Sequence, residues 1–411
     1  MDPDRADSKS DYYQTPNLDR LSTRGIVFTR SYAGSPVCSA SRASVQTGLS
    51  TARHGMTALA GWNPRSGDSH LLQRTPNKCN DISELTTLPE ALKLVDASYR
   101  TAHFGKWHLH SGGPSRNGFD VSDGPTINTE GDVSDPDPKL TFSISESGIG
   151  FMRECAEQER PFFLQLSYYA VHLELHALDA TLAKYEALPG GDKHANPLYA
   201  AMTEDLDTGV GRVLDAIDKL DLQDNTYVIY ASDNGAYVNL NQVRVQGEIS
   251  SCEPLRNGKF WLYEGGLRVP MIVSGPGIAR GAYSRNVVSQ TDLYPTFVEL
   301  AGGKPADTLD GVSIRRLFAD PDGPKIERRD DALFFHYPHY NRQATPHSSI
   351  VDGDMKLIKF WEDGALQMFD LSVDLEESVN LAEAQSELAA SMEARLQRYL
   401  EQVDALLPKR K

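Results

Sequence analysis

The run of small polar residues at 35–48 places a cysteine and an arginine four positions apart. Residues 40–47 read as a short helix that Gly48 ends, after a turn-like start. Cys38 then lies where unpaired backbone amides favour an anion, and Arg42, one turn later, offers a planar fork of donors to an oxyanion. The run predicts a nucleophile beside an anion-binding group. A buried, inert cysteine is the alternative reading.

A carboxylate and an amide oxygen stand side by side after another apolar run. Residues 226–231 read as a strand, and Asp233 and Asn234 follow it directly on a tight turn. Two hard oxygen ligands after a buried strand suit Ca²⁺ or Mg²⁺. Because Asp-Asn-Gly is also a common turn sequence, a purely structural role remains open.

Two further apolar runs, at 100–104 and 162–168, also read as strands that end in polar residues. Between the second of them and 226–231, apolar residues from Met202 to Ile217 recur at helical spacing. Short apolar runs that alternate with helical patterns predict an α/β fold with a mostly parallel central sheet flanked by helices. A site is then expected beyond the carboxyl ends of the strands.

The pattern Cys38-Ser39-Ala40-Ser41-Arg42 resembles the nucleophile motif of the type I, formylglycine-dependent sulfatases, an arylsulfatase-like family of the alkaline phosphatase superfamily. The family most often has Pro where Ala40 stands. Other segments resemble family motifs and occur in the family order. They are 105–109 with His110 replacing a final Gly, 169–172 with Val171 replacing Pro, 232–235, 255–259 and 263–270.

The resemblance implies a sulfuric ester hydrolase. Cys38 would be oxidised to formylglycine by a formylglycine-generating enzyme, and its hydrated aldehyde would attack the sulfur of a sulfate ester. Arg42 and Lys106 would hold position 38 and the sulfate. His108 would be the base that regenerates the aldehyde, and His172 with Lys259 would bind sulfate and protonate the leaving group. Asp233, Asn234 and position 38 would bind a divalent metal, with Ca²⁺ favoured over Mg²⁺.

The resemblance also implies an alkaline-phosphatase-like catalytic domain, expected at 1–325. Apolar residues around 356–358 and 369–371 precede a helical pattern from Leu388 to Val403, which predicts a smaller C-terminal subdomain of antiparallel strands and a helix at 326–411. The family opens with an apolar strand that ends in Asp-Asp in the middle of the sheet. No such strand precedes residue 15, so the first strand is expected to be missing from this sequence.

Composition narrows the class of partner. A formal net charge of -16 argues against nucleic acid, which needs a basic footprint. No apolar run has the length of a membrane span, and the charged start shows no signal peptide. The four cysteines have neither zinc-site nor disulfide-framework spacing, although one pair could be bridged. The resemblance favours a periplasmic or secreted enzyme.

The expected substrate is a sulfated small molecule or glycan, because residues 336–340 and His347 are rich in groups that stack on sugars. Two alternatives stay open: a phosphonate or phosphate monoester hydrolase of the same superfamily, and a non-catalytic protein that binds sulfated glycans. Further candidates for substrate specificity are Trp107, His110, Tyr237, Arg256, His339 and Arg342.

Overall fold

The computed structural model describes residues 5–60, 69–238, 249–341 and 344–411. The helices are α1 (Pro16–Thr23), α2 (Cys38–Thr47), α3 (Thr51–His54), α4 (Leu88–Val95), α5 (Thr141–Glu157), α6 (Asp179–Glu186), α7 (Pro197–Lys219), α8 (Glu264–Leu267), α9 (Leu293–Leu300) and α10 (Ser386–Gln402). The strands are β1 (Gly25–Phe28), β2 (Ser31–Tyr32), β3 (Arg100–Gly105), β4 (Val121–Ser122), β5 (Phe162–Ser167), β6 (Val228–Ala231), β7 (Met271–Ser274), β8 (Ala282–Ser284), β9 (Val288–Ser289), β10 (Leu333–Tyr337), β11 (His347–Asp352), β12 (Met355–Phe360) and β13 (Leu366–Asp370).

The main sheet is built in two parts whose strands mostly run parallel. One part has the order β4-β3-β5, with both pairs parallel. The other has the order β6-β7-β1-β8, in which β7 is antiparallel to both neighbours and β1 is parallel to β8. The predicted α/β class is confirmed, and each of the three strands predicted from apolar runs is present as β3, β5 and β6.

Helix α7 confirms the helix predicted from the apolar spacing between Met202 and Ile217. Leu206, Val210 and Leu214 on its buried face share a hydrophobic cluster with Val27 of β1 and Ile272 of β7. Strands β1 and β7 are buried along their whole length, as expected for strands covered on both faces. This packing sets the orientation of the second part of the main sheet.

The two parts of the main sheet are separated by a groove. In the described ranges β5 pairs only with β3 and β6 only with β7, so each has one edge without a strand partner. A cavity of about 780 Å³ is lined by both strands and by apolar side chains of α7 and α9. Unlike β1 and β7, both strands are mostly half-buried. The groove lies between β5 and β6.

The C-terminal part forms a separate sheet with the order β10-β11-β12-β13, all antiparallel. Met392, Leu396 and Leu400 of α10 pack against Ile350 and Leu357 of this sheet. The predicted subdomain of antiparallel strands and one helix is therefore confirmed. The exact boundary between 325 and 326 stays a prediction.

Two chain-wide features bear on the function. Among the helices that the structure describes, none combines the length and apolarity needed to cross a bilayer. All four cysteines are free thiols, and Cys38 is one of the two that are buried. The pairing that the sequence left open is therefore not formed.

Candidate active site

Cys38 is the first residue of helix α2 and is buried. The helix ends where predicted, at Gly48, whose φ of 66° lies in the left-handed region that favours glycine. No side chain caps the start of α2, so the amides of its first turn keep their capacity to bind an anion. Lys259 Nζ donates a hydrogen bond of 3.1 Å to Cys38 Sγ. Two predicted site residues are thereby in direct contact.

Arg42 connects the two parts of the main sheet at the end of the groove. Its Nε donates to Asp233 Oδ2 at 2.9 Å, and its Nη2 lies 2.8 Å from the same oxygen. Its Nη1 donates to the carbonyl oxygen of Lys106 at 2.5 Å. Lys106 follows β3 and Asp233 follows β6, so one guanidinium holds the ends of strands from both parts.

The loop after β3 brings Lys106 and His108 into the site. Both side chains are buried, and Ser39 Oγ of α2 donates to the carbonyl oxygen of His108 at 2.6 Å. His108 Nδ1 has no hydrogen-bond partner in the part of the chain that the structure describes. Burial, reinforced by the positive charge of Lys106, lowers the pKa of His108 far below its usual value. The imidazole is therefore neutral.

The loop after β5 carries His172, which lines the same cavity as Lys106 and Lys259. His172 Nδ1 lies 2.7 Å from the carbonyl oxygen of Leu173, so Nδ1 carries the proton and Nε2 is the acceptor. Burial and the nearby charge of Lys259 lower the pKa of His172 well below its usual value. The ring of Tyr237 lies 5.6 Å from the His172 ring and 4.6 Å from Lys259 Nζ, between the two.

Asp233 and Asn234 follow β6 on the predicted turn. Asn234 Nδ2 donates to the carbonyl oxygen of Gly235 at 2.8 Å, and Asn234 Oδ1 is buried without a hydrogen-bond partner among the described residues. An unsatisfied amide oxygen beside a carboxylate fits a hard divalent cation. No group of three or more His, Cys, Asp or Glu side chains suited to a metal occurs in the ranges described, so Asp233 and Asn234 form a partial ligand set.

Positive charge dominates the surroundings of Cys38. Burial alone would raise the pKa of the Cys38 thiol, but Lys106 and Lys259 outweigh burial and lower it. Burial lowers the pKa of Lys106 to about 8. Burial opposes the charge of Lys259 as well, yet the Cys38 thiolate raises the pKa of that lysine above its usual value. Cys38 Sγ thus lies among the positive charges of Arg42, Lys106 and Lys259, with Asp233 as the opposing carboxylate.

Gln290 is a site residue that sequence reasoning missed. Its Oε1 accepts a hydrogen bond of 3.1 Å from Ser41 Oγ of α2, and its Nε2 donates to the carbonyl oxygen of Ser232. Gln290 therefore links the helix that carries Cys38 to the turn that carries Asp233. A single glutamine carries no motif, so nothing in the sequence identified it.

The sugar-binding prediction for residues 336–340 and His347 is wrong at four positions. The side chains of His336, Tyr337, His339 and His347 are at most 2% exposed and cannot stack on a sugar. Trp107 is likewise a core residue, packed with His103 and Phe119. Stacking on a sugar requires an exposed aromatic ring. The sequence alone does not distinguish an exposed ring from a buried one.

The other specificity candidates have mixed positions. Arg256 Nη1 donates to the carbonyl oxygen of Glu377, which gives Arg256 a structural contact. His110 is exposed, with Nε2 3.0 Å from the carbonyl oxygen of Ala60. Tyr237 faces the cavity beside Lys259. Arg342 lies outside the described residues.

Comparison with protein families gives two matches along the chain. The family described as Sulfatase matches residues 4–303. The family described as N-sulphoglucosamine sulphohydrolase, C-terminal, matches residues 257–405. The first match alone covers well over half of the chain.

Individual relatives agree with these matches. A protein named sulfatase from Formosa agariphila is 26% identical over 95% of this chain and 84% of its own length. The N-acetylgalactosamine-6-sulfatase of Rattus norvegicus is 29% identical over 73% of this chain, which spans 60% of that relative. A crystal structure of Ps i-CgsB in complex with k-i-k-neocarrahexaose has a TM-score of 0.76 at 23% identity, and covers 95% of this chain and 88% of that one.

The structural likeness establishes an alkaline-phosphatase-like fold. The family match covers Cys38, His172 and Lys259. Family membership implies a divalent metal and a formylglycine residue. This chain belongs to the sulfatase family of the alkaline phosphatase superfamily and is a sulfuric ester hydrolase.

Proposed function

We propose that this protein hydrolyses sulfate monoesters of a carbohydrate, using formylglycine formed from Cys38 and a divalent cation. The observation that carries the proposal is the excess of cations over carboxylates around Cys38. A sugar substrate is supported by two relatives, one named N-acetylgalactosamine-6-sulfatase and one crystallised with k-i-k-neocarrahexaose.

Arg42, Lys106 and Lys259 bind the sulfate group in this proposal. With Cys38 converted to a neutral aldehyde, three cations face the single carboxylate of Asp233. A sulfate monoester carries one negative charge and restores part of the balance. Because the site is buried, these interactions act in a low effective dielectric and strengthen as charge develops on the leaving oxygen.

The proton transfers are assigned to three side chains. Lys259, whose Nζ lies beside position 38, is the cation placed to donate a proton to the leaving oxygen. His172 presents Nε2 to the same region, and a bound sulfate stabilises its protonated form against the surrounding cations. His108, with an unpartnered Nδ1, is assigned by the family resemblance as the base that accepts a proton when the nucleophile is regenerated.

Asp233, Asn234 and position 38 are proposed to hold the cation, because both side chains offer the hard oxygen ligands that Ca²⁺ and Mg²⁺ prefer. The family resemblance favours Ca²⁺. A bound divalent cation supplies Lewis-acid stabilisation of the developing charge. Formylglycine supplies a hydroxyl nucleophile once hydrated. A formylglycine-generating enzyme is therefore a required partner during maturation.

The test uses protein co-expressed with a formylglycine-generating enzyme and a panel of sulfated mono- and oligosaccharides. We expect release of inorganic sulfate, measured by ion chromatography, and its loss in Cys38→Ala. The sulfate and phosphate esters of one phenol provide the comparison that separates a sulfatase from a phosphate monoester hydrolase. Preference for the phosphate ester, or release that survives Cys38→Ala, would overturn the proposal.

A further inference from the structure

The segment 256–268, here called the Lys259 segment, is bonded to the C-terminal subdomain at its backbone. The Leu262 N–H donates to His347 Nε2 at 3.0 Å. The Glu264 N–H donates to Glu377 Oε2 at 2.7 Å. Both acceptors are side chains of the C-terminal subdomain and both are fully buried. Two backbone positions within five residues of Lys259 are therefore fixed from outside the main sheet.

A buried cluster of charges lies at this junction. Lys356 Nζ of β12 lies 2.9 Å from Glu264 Oε1 and 2.9 Å from Glu377 Oε1, and none of the three side chains is exposed. The contact with Glu264 is a hydrogen bond, whereas the contact with Glu377 is off the hydrogen-bond direction. Tyr32 Oη donates to Glu264 Oε2 at 3.0 Å, and Arg268 Nη1 lies 3.6 Å from that oxygen. The positive charges of Lys356 and Arg268 thus balance the negative charges of Glu264 and Glu377.

Net stability does not explain such a cluster. Burying charges costs desolvation free energy, and apolar residues of similar volume often stabilise a core as well or better. What charged groups add is direction, since Lys356 donates a hydrogen bond to Glu264 and lies within ion-pair distance of Glu377 in one arrangement. That arrangement holds Glu264 in place. Glu264 is the first residue of α8 and lies five residues after Lys259 in the Lys259 segment.

The backbone at Lys259 is also hydrogen-bonded to residues outside the C-terminal subdomain. Lys259 N–H donates to the carbonyl oxygen of Ala236 at 2.9 Å, and Phe260 N–H donates to that of Pro36 at 3.0 Å. These contacts tie the segment to the turn after Asn234 and to the residues before α2. Lys259 Nζ then reaches Cys38 Sγ at 3.1 Å. Its position is thus determined by the main sheet on one side and by the cluster on the other.

We propose that Lys356, Glu377 and His347 are positioning residues for Lys259, so that the C-terminal subdomain takes part in sulfate ester hydrolysis by setting the place of a catalytic cation. None of the three touches the substrate site. The kinetic part of this inference rests on the proposed function, but the structural part does not.

The first test measures hydrogen exchange at the Leu262 and Glu264 amides and needs no turnover. Lys356→Met removes the charge at similar side-chain length and is expected to speed exchange at both amides. The matched control is Lys359→Met on the same strand, whose partner Glu393 belongs to α10. Because Lys356→Met leaves two carboxylates without their lysine, Lys356→Met/Glu377→Gln provides a second, less charged variant if the single variant folds poorly. Unchanged exchange in both folded variants would overturn the proposal.

The second test is a double-mutant cycle on sulfate ester hydrolysis. Displacing a catalytic group by about 1 Å can cost about 100-fold in rate, so Lys356→Met is expected to lower kcat/KM by about 10- to 100-fold while Lys359→Met leaves it unchanged. In a Lys259→Ala background, Lys356→Met should cost little more, because its effect passes through Lys259. Additive losses would overturn the positioning role. If no ester is hydrolysed at all, the proposed function fails and the exchange measurement still decides this inference.

Discussion

Lys259 Nζ lies 3.1 Å from Cys38 Sγ although the two residues are 221 positions apart. Lys259 reaches this place on a segment that follows β6, while Cys38 starts a helix near the beginning of the fold. Their contact places a permanent cation beside the predicted nucleophile. This pairing distinguishes an anion-binding nucleophile from the inert buried cysteine that the sequence left open.

Conversion of Cys38 is predicted first. Trypsin cuts after Arg30 and Arg42 and releases the peptide 31–42. In protein co-expressed with a formylglycine-generating enzyme, we expect this peptide to lose about 18 Da, as sulfur and two hydrogens are replaced by oxygen, and to react with an aldehyde probe. An unmodified thiol after co-expression would contradict the formylglycine assignment.

Removal of the Lys259 charge should reduce catalysis strongly. Loss of one preorganised donor to developing negative charge typically costs about 100- to 1000-fold, and this is the expected fall in kcat for Lys259→Met. The exposed Lys304→Met serves as the control and should hydrolyse the same sulfate ester at the parent rate. A Lys259→Met protein with an unchanged kcat would exclude the proton-donating role.

Metal affinity should depend on Asn234. Its Oδ1 is buried and has no partner among the described residues, so a cation would use an oxygen that is otherwise unsatisfied. We expect Asn234→Ala to weaken Ca²⁺ binding by about tenfold or more, measured by isothermal titration calorimetry. The exposed Asn225→Ala is the control. We further expect EDTA to abolish sulfate release, and equal Ca²⁺ affinity of the two variants would remove Asn234 from the ligand set.

The groove between β5 and β6 should accept an extended apolar peptide. The two facing edges offer backbone groups without strand partners in the described ranges, and about five residues make a typical strand. A synthetic peptide with a Val-Ile-Val-Ile-Val centre, preceded by two lysines and followed by two aspartates, is expected to slow hydrogen exchange in both strands. The same peptide with a central proline should not. Slow exchange of both edges before any peptide is added would contradict an open groove.

Acid should weaken the junction at His347. Burial lowers the pKa of His347 to about 4, below its usual 6.5, so the neutral form stabilises the fold above pH 6.5 and that contribution is lost as the pH falls through 4. The physical reason is that His347 Nε2 accepts from Leu262 N–H while Nδ1 donates to the carbonyl oxygen of Thr345.

Urea unfolding at several pH values checks this. His347→Gln should reduce the pH dependence of the free energy of unfolding between pH 6.5 and 4 by about one proton, which is about 1.4 kcal/mol per pH unit. The exposed His110→Gln should leave the slope unchanged. An identical slope in both variants would refute the assignment.

The sequence predicted local features of the site well. Each of Cys38, Lys106, His172 and Asp233 lies at or just beyond the start of a helix or the end of a strand, where a short motif reports both the residue and its element. Long-range contacts could not be predicted in this way. The bond from Arg42 to the carbonyl oxygen of Lys106 depends on how two parts of the sheet face each other.

Burial was the second property of the site residues that the sequence did not predict. His336 and His347 have the residue types of a sugar-binding surface, yet β10 and β11 place both in the core. Lys356 and Glu377 would normally be assigned to the surface, because charged side chains are almost never fully buried without a partner. Their shared partner Glu264 lies 92 and 113 positions away, beyond the reach of any local pattern.

The buried cations of the site belong to a protein whose net charge is -16. A highly sulfated chain therefore approaches a surface that repels it before it reaches a pocket that attracts it. Salt screens the long-range repulsion beyond about 8 Å at physiological ionic strength but acts weakly on the buried pocket. Association with polysulfated chains should accordingly become faster as ionic strength rises, the opposite of an enzyme that attracts its substrate from a distance.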